Sequence, residues 1–181
     1  TVNNVLKQNG ITVFGANYVY LDKTVKGFNF DFTTINNKNE IMQQYLLGNL
    51  GNTNCWSKIF CKQLIDDSSL RFNVNYSFGE DYLFNYRYLK LVQSACAIDK
   101  PLYNYDLTRV SSATNSRSES YLRKWIVTEE IYKDVLNENA SGILLKRLVS
   151  ELYQTVYLTV AESSKQDLFN ESYQKLLEYK F

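Results

Sequence analysis

Glu80 and Asp81 stand side by side in the stretch FGEDYLFNYRYL, residues 78–89, where a loop gives way to a helical pattern. A carboxylate held at the end of a rigid element and facing a cleft can take a proton from an attacking hydroxyl. A pair can divide the work, one accepting the proton while the other orients the acceptor or its neighbour. The same residues also suit an ordinary helix start. Unpaired N–H groups and the positive end of the helix dipole favour acids in the first turn by about 1 kcal/mol. This stretch alone leaves both roles open.

The remaining side chains narrow the chemistry. The chain has no His, which excludes Ser-His-Asp and Cys-His nucleophile systems and His-containing zinc sites within it. Its 3 cysteines, Cys55, Cys61 and Cys96, are odd in number and scattered. They make neither a disulfide framework nor a metal cluster, and they suit a reducing, cytoplasmic compartment. A metal site here would rest on carboxylates and water. A formal net charge of +1 gives no field for nucleic-acid binding by phosphate neutralisation. Aromatics are abundant, with 15 Tyr, 10 Phe and 2 Trp. Such rings serve cores, interfaces or sugar-binding faces, because Tyr and Trp join a flat apolar body to a polar tip. No apolar run reaches the length of a membrane span, and no signal peptide is visible.

The elements that must position the carboxylates follow from periodicity. Phe84, Tyr88, Leu91, Val92 and Ala95 recur on one helical face, so a helix starts near Glu80 and Asp81. GITVFGANYVYLD (10–22) reads as one or two strands, with Gly15 marking a bulge or a close backbone approach. KTVKGFNFDFTT (23–34) alternates apolar and polar residues and reads as a returning hairpin strand or an edge strand. NKNEIMQQYLLGNL (37–50) is a short helix capped by Asn37 or Asn39 and ended by Gly48 or Gly51. NCWSKIFCKQLID (54–66) is a second short helix or turn, and LRFN (70–73) is extended. ACAID and PLYNYD read as two short strands around Pro101, the only proline. LTRVSSATNSRS (107–118) is a polar loop. The tail is helical: Leu122, Trp125, Ile126, Tyr132, Val135 and Leu136 form one stripe, Leu145 to Val160 a second, and Phe169 to Leu177 a third. The expected class is α/β, with one part over residues 1–116 and a helical extension over 117–181.

Four segments occur in order: NCWSKIFCKQLI, LRF, GEDYLFNYRYL and IDKPLYNYDLTRVSS. Together they resemble the C-terminal half of a family 2 inverting glycosyltransferase with the GT-A fold, over roughly residues 10–115. Members typically show W-x-K-(I/L)-(F/Y), an R-F pair, E-D-x-x-F, and P-L-Y-x-Y before a basic, Ser-containing loop. The resemblance implies transfer from a nucleotide-diphosphate sugar to an acceptor hydroxyl of a glycan or glycolipid. It makes Asp81 the catalytic base and Glu80 its neighbour in the acceptor site. A single in-line displacement needs one proton removed, so one carboxylate suffices. Trp56 and Lys58 fall on the acceptor side, and Arg109, Ser111 and Ser112 match the loop that contacts the donor diphosphate. Arg suits a leaving phosphate through its permanent, bidentate charge.

The family's Asp-x-Asp motif, which holds Mn²⁺ or Mg²⁺ through the diphosphate, has no counterpart in these 181 residues. The expectation is therefore an acceptor half without the nucleotide- and metal-binding half, inactive alone. The expected setting is bacterial surface-glycan or glycolipid assembly, in the cytoplasm or against the inner face of the plasma membrane. The tail would pack on the domain, contact the membrane or join copies of the chain. Two other functions compete: a non-catalytic carbohydrate-binding or assembly module that keeps the GT-A shell, and an interaction scaffold with tyrosine anchors.

Overall fold

The computed structural model describes residues 9–51, 53–76, 78–108 and 126–135, with residues 142, 149, 150, 153, 157 and 174. The fold is mixed α/β. The chain divides into two compact units: Thr1–Asn73 with Asp81–Val110, and Val74–Glu80 with Ser111–Phe181.

In the first unit the order of elements is β1 (Ile11–Val19), β2 (Thr24–Lys26), β3 (Thr34–Ile35), α1 (Lys38–Leu46), β4 (Lys58–Phe60), α2 (Lys62–Asp67), α3 (Glu80–Leu89) and β5 (Ala95–Asp106). The five strands form one mixed sheet centred on β1. Its β-branched and apolar run, with Ile11, Thr12, Val13 and Ala16 fully buried, suits a strand paired on both sides. β5 runs parallel to β1 along its whole length. On the other edge β4 pairs antiparallel with Ile11–Val13, and β2 pairs antiparallel with Asn17–Val19. β3 pairs antiparallel with the start of β5.

Pro101 does not divide β5 into two strands, as its sequence suggests. One strand of 12 residues runs through it. The register against β1 instead slips twice, between Phe14 and Gly15 and between Gly15 and Ala16, with Pro101 opposite Gly15. A proline cannot donate to the ladder, and an irregularity is where a sheet tolerates it. Gly15 is there because the backbones nearly touch. A Cβ on it would lie 2.8 Å from Lys100 O and 2.9 Å from Lys100 C.

α1 is capped by Asn37, whose Oδ1 accepts from the amides of Asn39 and Glu40 at 3.0 and 3.1 Å. The stretch read as a helix or turn over 54–66 is a turn, then β4, then the one-and-a-half-turn α2. β4 forms because β1 offers a free edge to Lys58–Phe60 and holds it at Phe14 N–H to Ser57 O, 3.0 Å. α3 starts at Glu80 as the pattern requires, but it stops at Leu89, and Ala95 belongs to β5. It is buried on more than one face: Tyr82, Leu83, Phe84, Asn85, Tyr86, Tyr88 and Leu89 are all inside. The Tyr88 hydroxyl ties this helix to the sheet, accepting from Cys61 N–H at 2.8 Å and donating to Gly10 O at 2.9 Å. Burial of that phenol holds its pKa up at about 12.

In the second unit, residues 126–135 are helical. The buried side is Val127, Thr128, Ile131, Tyr132 and Val135, while Ile126 is exposed. Tyr132 and Val135 of the expected stripe are buried, whereas Ile126 is exposed and Val127 beside it is buried instead. Tyr76 donates to Glu130 Oε2 at 2.8 Å. The second and third tail stripes lie almost wholly outside the described residues, as does the expected boundary at 116/117. Among the described residues no helix is long and apolar enough to cross a membrane.

Candidate functional site

The turn at residues 53–57, which leads into β4, touches two elements: Asp81 and Asn85 of α3 hold its first residues, and Tyr103 and Tyr105 of β5 stack on its Trp56. Asp81 is half-buried, and its Oδ2 accepts from the Cys55 amide at 3.3 Å. Asn85 lies one helical turn later on the same face. It is fully buried, and its Nδ2 donates to Thr53 O at 2.6 Å, to Asp81 O at 2.8 Å and toward Cys55 Sγ at 3.6 Å. One carboxamide thus fastens the turn to the helix that carries the carboxylate. Its Oδ1 has no hydrogen-bond partner among the described residues.

The charges agree with this closeness. Burial pushes the Cys55 thiol up to about 12, helped by the negative charge of Asp81 and a hydrogen bond to it, and opposed by Lys58 and Asn85. Burial brings the Lys58 ammonium down to about 8, although Cys55 and Asp81 both favour its charged form. Lys58 is 8% exposed, and its Nζ donates to Asn54 O at 2.7 Å. It therefore braces the turn. The geometry is one carboxylate, fixed by a backbone amide, beside a buried cation. Such a carboxylate can accept a proton from a hydroxyl brought to its outer oxygen.

Trp56 comes next in the turn, and Ser57 after it takes φ +115, a left-handed value rare for a residue with a side chain. That corner lets the chain swing from the indole into β4. The half-buried indole stacks on Tyr103 and Tyr105, each with centroid distance 5.0 Å and interplanar angles of 22° and 23°. It also stacks on Phe28 at 5.8 Å and meets Tyr18 edge-on at 6.2 Å. Tyr103 and Tyr105 share a strand face because they are two apart.

The other segments singled out in the sequence meet at Phe84. Phe72 of the Arg71-Phe72 pair stacks on Phe84 at 4.3 Å and 13°, and Phe60 meets Phe84 and Tyr88 edge-on at 5.6 and 4.9 Å. Glu80 is the first residue of α3 and is half-buried. Arg109, Ser111 and Ser112 lie outside the described residues.

Asn85 and Cys55 were not among the sequence candidates. A signal for Asn85 existed: a carboxamide four residues after Asp81, inside an otherwise aromatic helix. Cys55 offered none, since only the folded turn brings its amide and thiol to the carboxylate. Among the described residues no group of three or more His, Cys, Asp or Glu converges. One carboxylate beside a buried ammonium does not fit a divalent cation, so no step at this site is routed through a metal.

No family model matches the sequence. No curated protein matches it either.

Proposed function

We propose that this chain carries the acceptor side of an inverting glycosyltransferase, with Asp81 as the general base. What supports this reading is contact between the segments that carry the resemblance: Trp56 of WSKIF stacks on Tyr103 and Tyr105 of PLYNY, and Phe84 of EDYLF meets Phe60 of WSKIF and Phe72 of RF. Residue types that resemble one family's pattern in order also assemble in space.

On this reading the acceptor hydroxyl approaches the outer oxygen of Asp81. The Cys55 amide holds the other oxygen, so the carboxylate does not rotate when it takes the proton. The hydroxyl oxygen then attacks the anomeric carbon in line, and the nucleotide diphosphate leaves with the bonding pair. Lys58 braces the turn that carries Cys55, its Nζ donating to Asn54 O at 2.7 Å. Glu80 adjoins Asp81 in the chain, and Arg109, Ser111 and Ser112 are assigned to the leaving diphosphate. The nucleotide, and the Mn²⁺ or Mg²⁺ that such donors bring, belong on the donor side and not at Asp81. The setting that suits this reaction is bacterial surface-glycan or glycolipid synthesis on the cytoplasmic side of the membrane.

A carbohydrate-binding module without catalysis is the second reading, favoured by the aromatic surface around Trp56. The two separate in one experiment. The product of the complete reading frame, given a panel of nucleotide sugars and acceptors, transfers sugar on the first reading and only binds on the second.

A further inference from the structure

Of the two edges of β5, only one is paired along its length. β1 runs beside it from Ala95 to Asp106. On the other edge β3 pairs with Ala95 and Cys96, and Thr33 O accepts from Ala97 N–H at 3.1 Å. Beyond Ala97 no strand of the described residues lies against that edge. Residues 99–104 and 106–108 are exposed there, Leu102 by 59%, Tyr103 by 39% and Leu107 by 44%. The register against β1 is regular from Tyr103 to Asp106, and Leu107 N–H donates to Val19 O at 3.0 Å. Backbone groups alternate in direction along a strand. Tyr103 and Tyr105 therefore turn their amides and carbonyls to β1, and Asn104 and Asp106 turn theirs to the open edge. Such an edge is a template for another strand. Sheets guard their edges with prolines and bulges. Here Pro101 and the register slips lie at one end of the edge, opposite Gly15, and residues 103–106 continue past them in regular register.

We propose that the outer half of β5 pairs antiparallel with β5 of a second copy of this chain, about a two-fold axis at Tyr103. The charges of the strand select this occupant and this register. Asp99 is engaged by Lys26 at 3.0 Å. The other two charges, Lys100 and Asp106, stand three residues to either side of Tyr103. Antiparallel pairing centred there sets Lys100 of each copy opposite Asp106 of the other, so the ion pair forms twice. A parallel arrangement in register sets like charges opposite, which destabilises it. Asp106 Oδ1 accepts from the Thr108 amide at 2.8 Å and from its hydroxyl at 2.6 Å, which holds the carboxylate in place at the strand's end. At the axis the two Tyr103 side chains form a cross-strand aromatic pair. Each is backed by its own Trp56, stacked at 5.0 Å. A contact of this self-complementary kind closes at two copies. Nothing in it depends on the role of Asp81.

Sedimentation equilibrium of the full 181-residue chain at about 10–300 µM is expected to show monomer and dimer in exchange, since a strand-edge contact without a broad apolar core binds weakly. Lys100→Glu and Asp106→Lys are each expected to weaken the dimer roughly tenfold, because the pair occurs twice. The double variant exchanges the two charges and is expected to restore affinity to within about threefold of wild type. Circular dichroism checks that each variant is folded. Cysteine linkage reads the register. Tyr103→Cys places a thiol in a non-hydrogen-bonded pair at the axis, with Cα atoms about 4.5 Å apart, and should yield a disulfide-linked dimer under mild oxidation. Asn104→Cys, whose two copies are offset along the strands beyond bridging reach, should not. Peptide mass spectrometry separates a link at 103 from one through Cys55, Cys61 or Cys96. A chain that stays monomeric over this range overturns the proposal. So does a dimer that neither charge reversal weakens or that the double variant does not restore, and so does linkage at 104 in place of 103.

Discussion

Replacing Asn85 with Asp changes one group on a fully buried side chain and reverses its hydrogen-bonding sense. The native Nδ2 serves Thr53 O and Asp81 O at 2.6 and 2.8 Å. A carboxylate in that place presents only acceptors to two carbonyl oxygens. Thr53 O left unsatisfied costs about 1–3 kcal/mol, and an unpaired buried charge about 3–5 kcal/mol. These costs overlap, because one side chain causes both, so the net loss at pH 7 is about 4 kcal/mol. The new carboxyl has an escape in protonation, and burial raises its folded pKa above the unfolded value of about 3.9. Below that value both states hold the proton and the charge penalty vanishes. As pH rises through it the unfolded state ionises first, and the penalty grows. Urea unfolding of wild type, Asn85→Asp and Asn85→Leu at pH 4.5 and 7.5 reads this directly. The deficit of Asn85→Asp relative to wild type should shrink on acidification, while that of Asn85→Leu, which removes the donor without adding charge, should not move. An Asn85→Asp protein as stable as wild type at pH 7.5, or a deficit equal at both pH values, would refute the assignment of Asn85 as the fastener of the site.

Gly15→Ala should lower the melting temperature by roughly 3–5 °C, because the entropic gain of about 0.4–1 kcal/mol is outweighed by a clash with the β5 backbone of about 1–3 kcal/mol; calorimetry checks it. Lys58 titrates near 8 in the fold and near 10.4 unfolded, so between those values the unfolded state binds more protons and stability rises with pH. That rise, up to about 3 kcal/mol, should appear in wild type and be absent from Lys58→Met when their unfolding is compared at pH 7.5 and 10. Cys55, held at about 12, should resist iodoacetamide at pH 8. Asp81→Asn, by removing a neighbouring negative charge, should speed its alkylation severalfold as read by peptide mass spectrometry.

Local chemistry was the legible part of this molecule. Asn37 announces α1 because an Asn side chain before a helix has amides to accept from, and Glu80 and Asp81 mark the start of α3 because the positive end of a helix favours negative charge. Gly15 was readable as a close approach, though not what approached it. The misreadings share a cause. Pro101 looks like a strand break until a second backbone supplies a slipped register around it. Residues 58–60 look helical until β1 offers an edge. The Trp56 stack on Tyr103 and Tyr105, and the grip of Asn85 on Thr53, depend on segments meeting across the fold, which no local period encodes. Of the proposed site, Asp81 and Trp56 were visible as types in a pattern; Cys55 was not.

Sugar transfer by the product of the complete reading frame, compared between wild type and Asp81→Asn, bears most directly on the proposed chemistry. Removing the base should cut the rate by about 10²–10⁴-fold, while circular dichroism and acceptor binding stay as in wild type. Transfer by Asp81→Asn within a few fold of wild type would contradict the account, as would a wild-type protein that moves no sugar from any nucleotide donor.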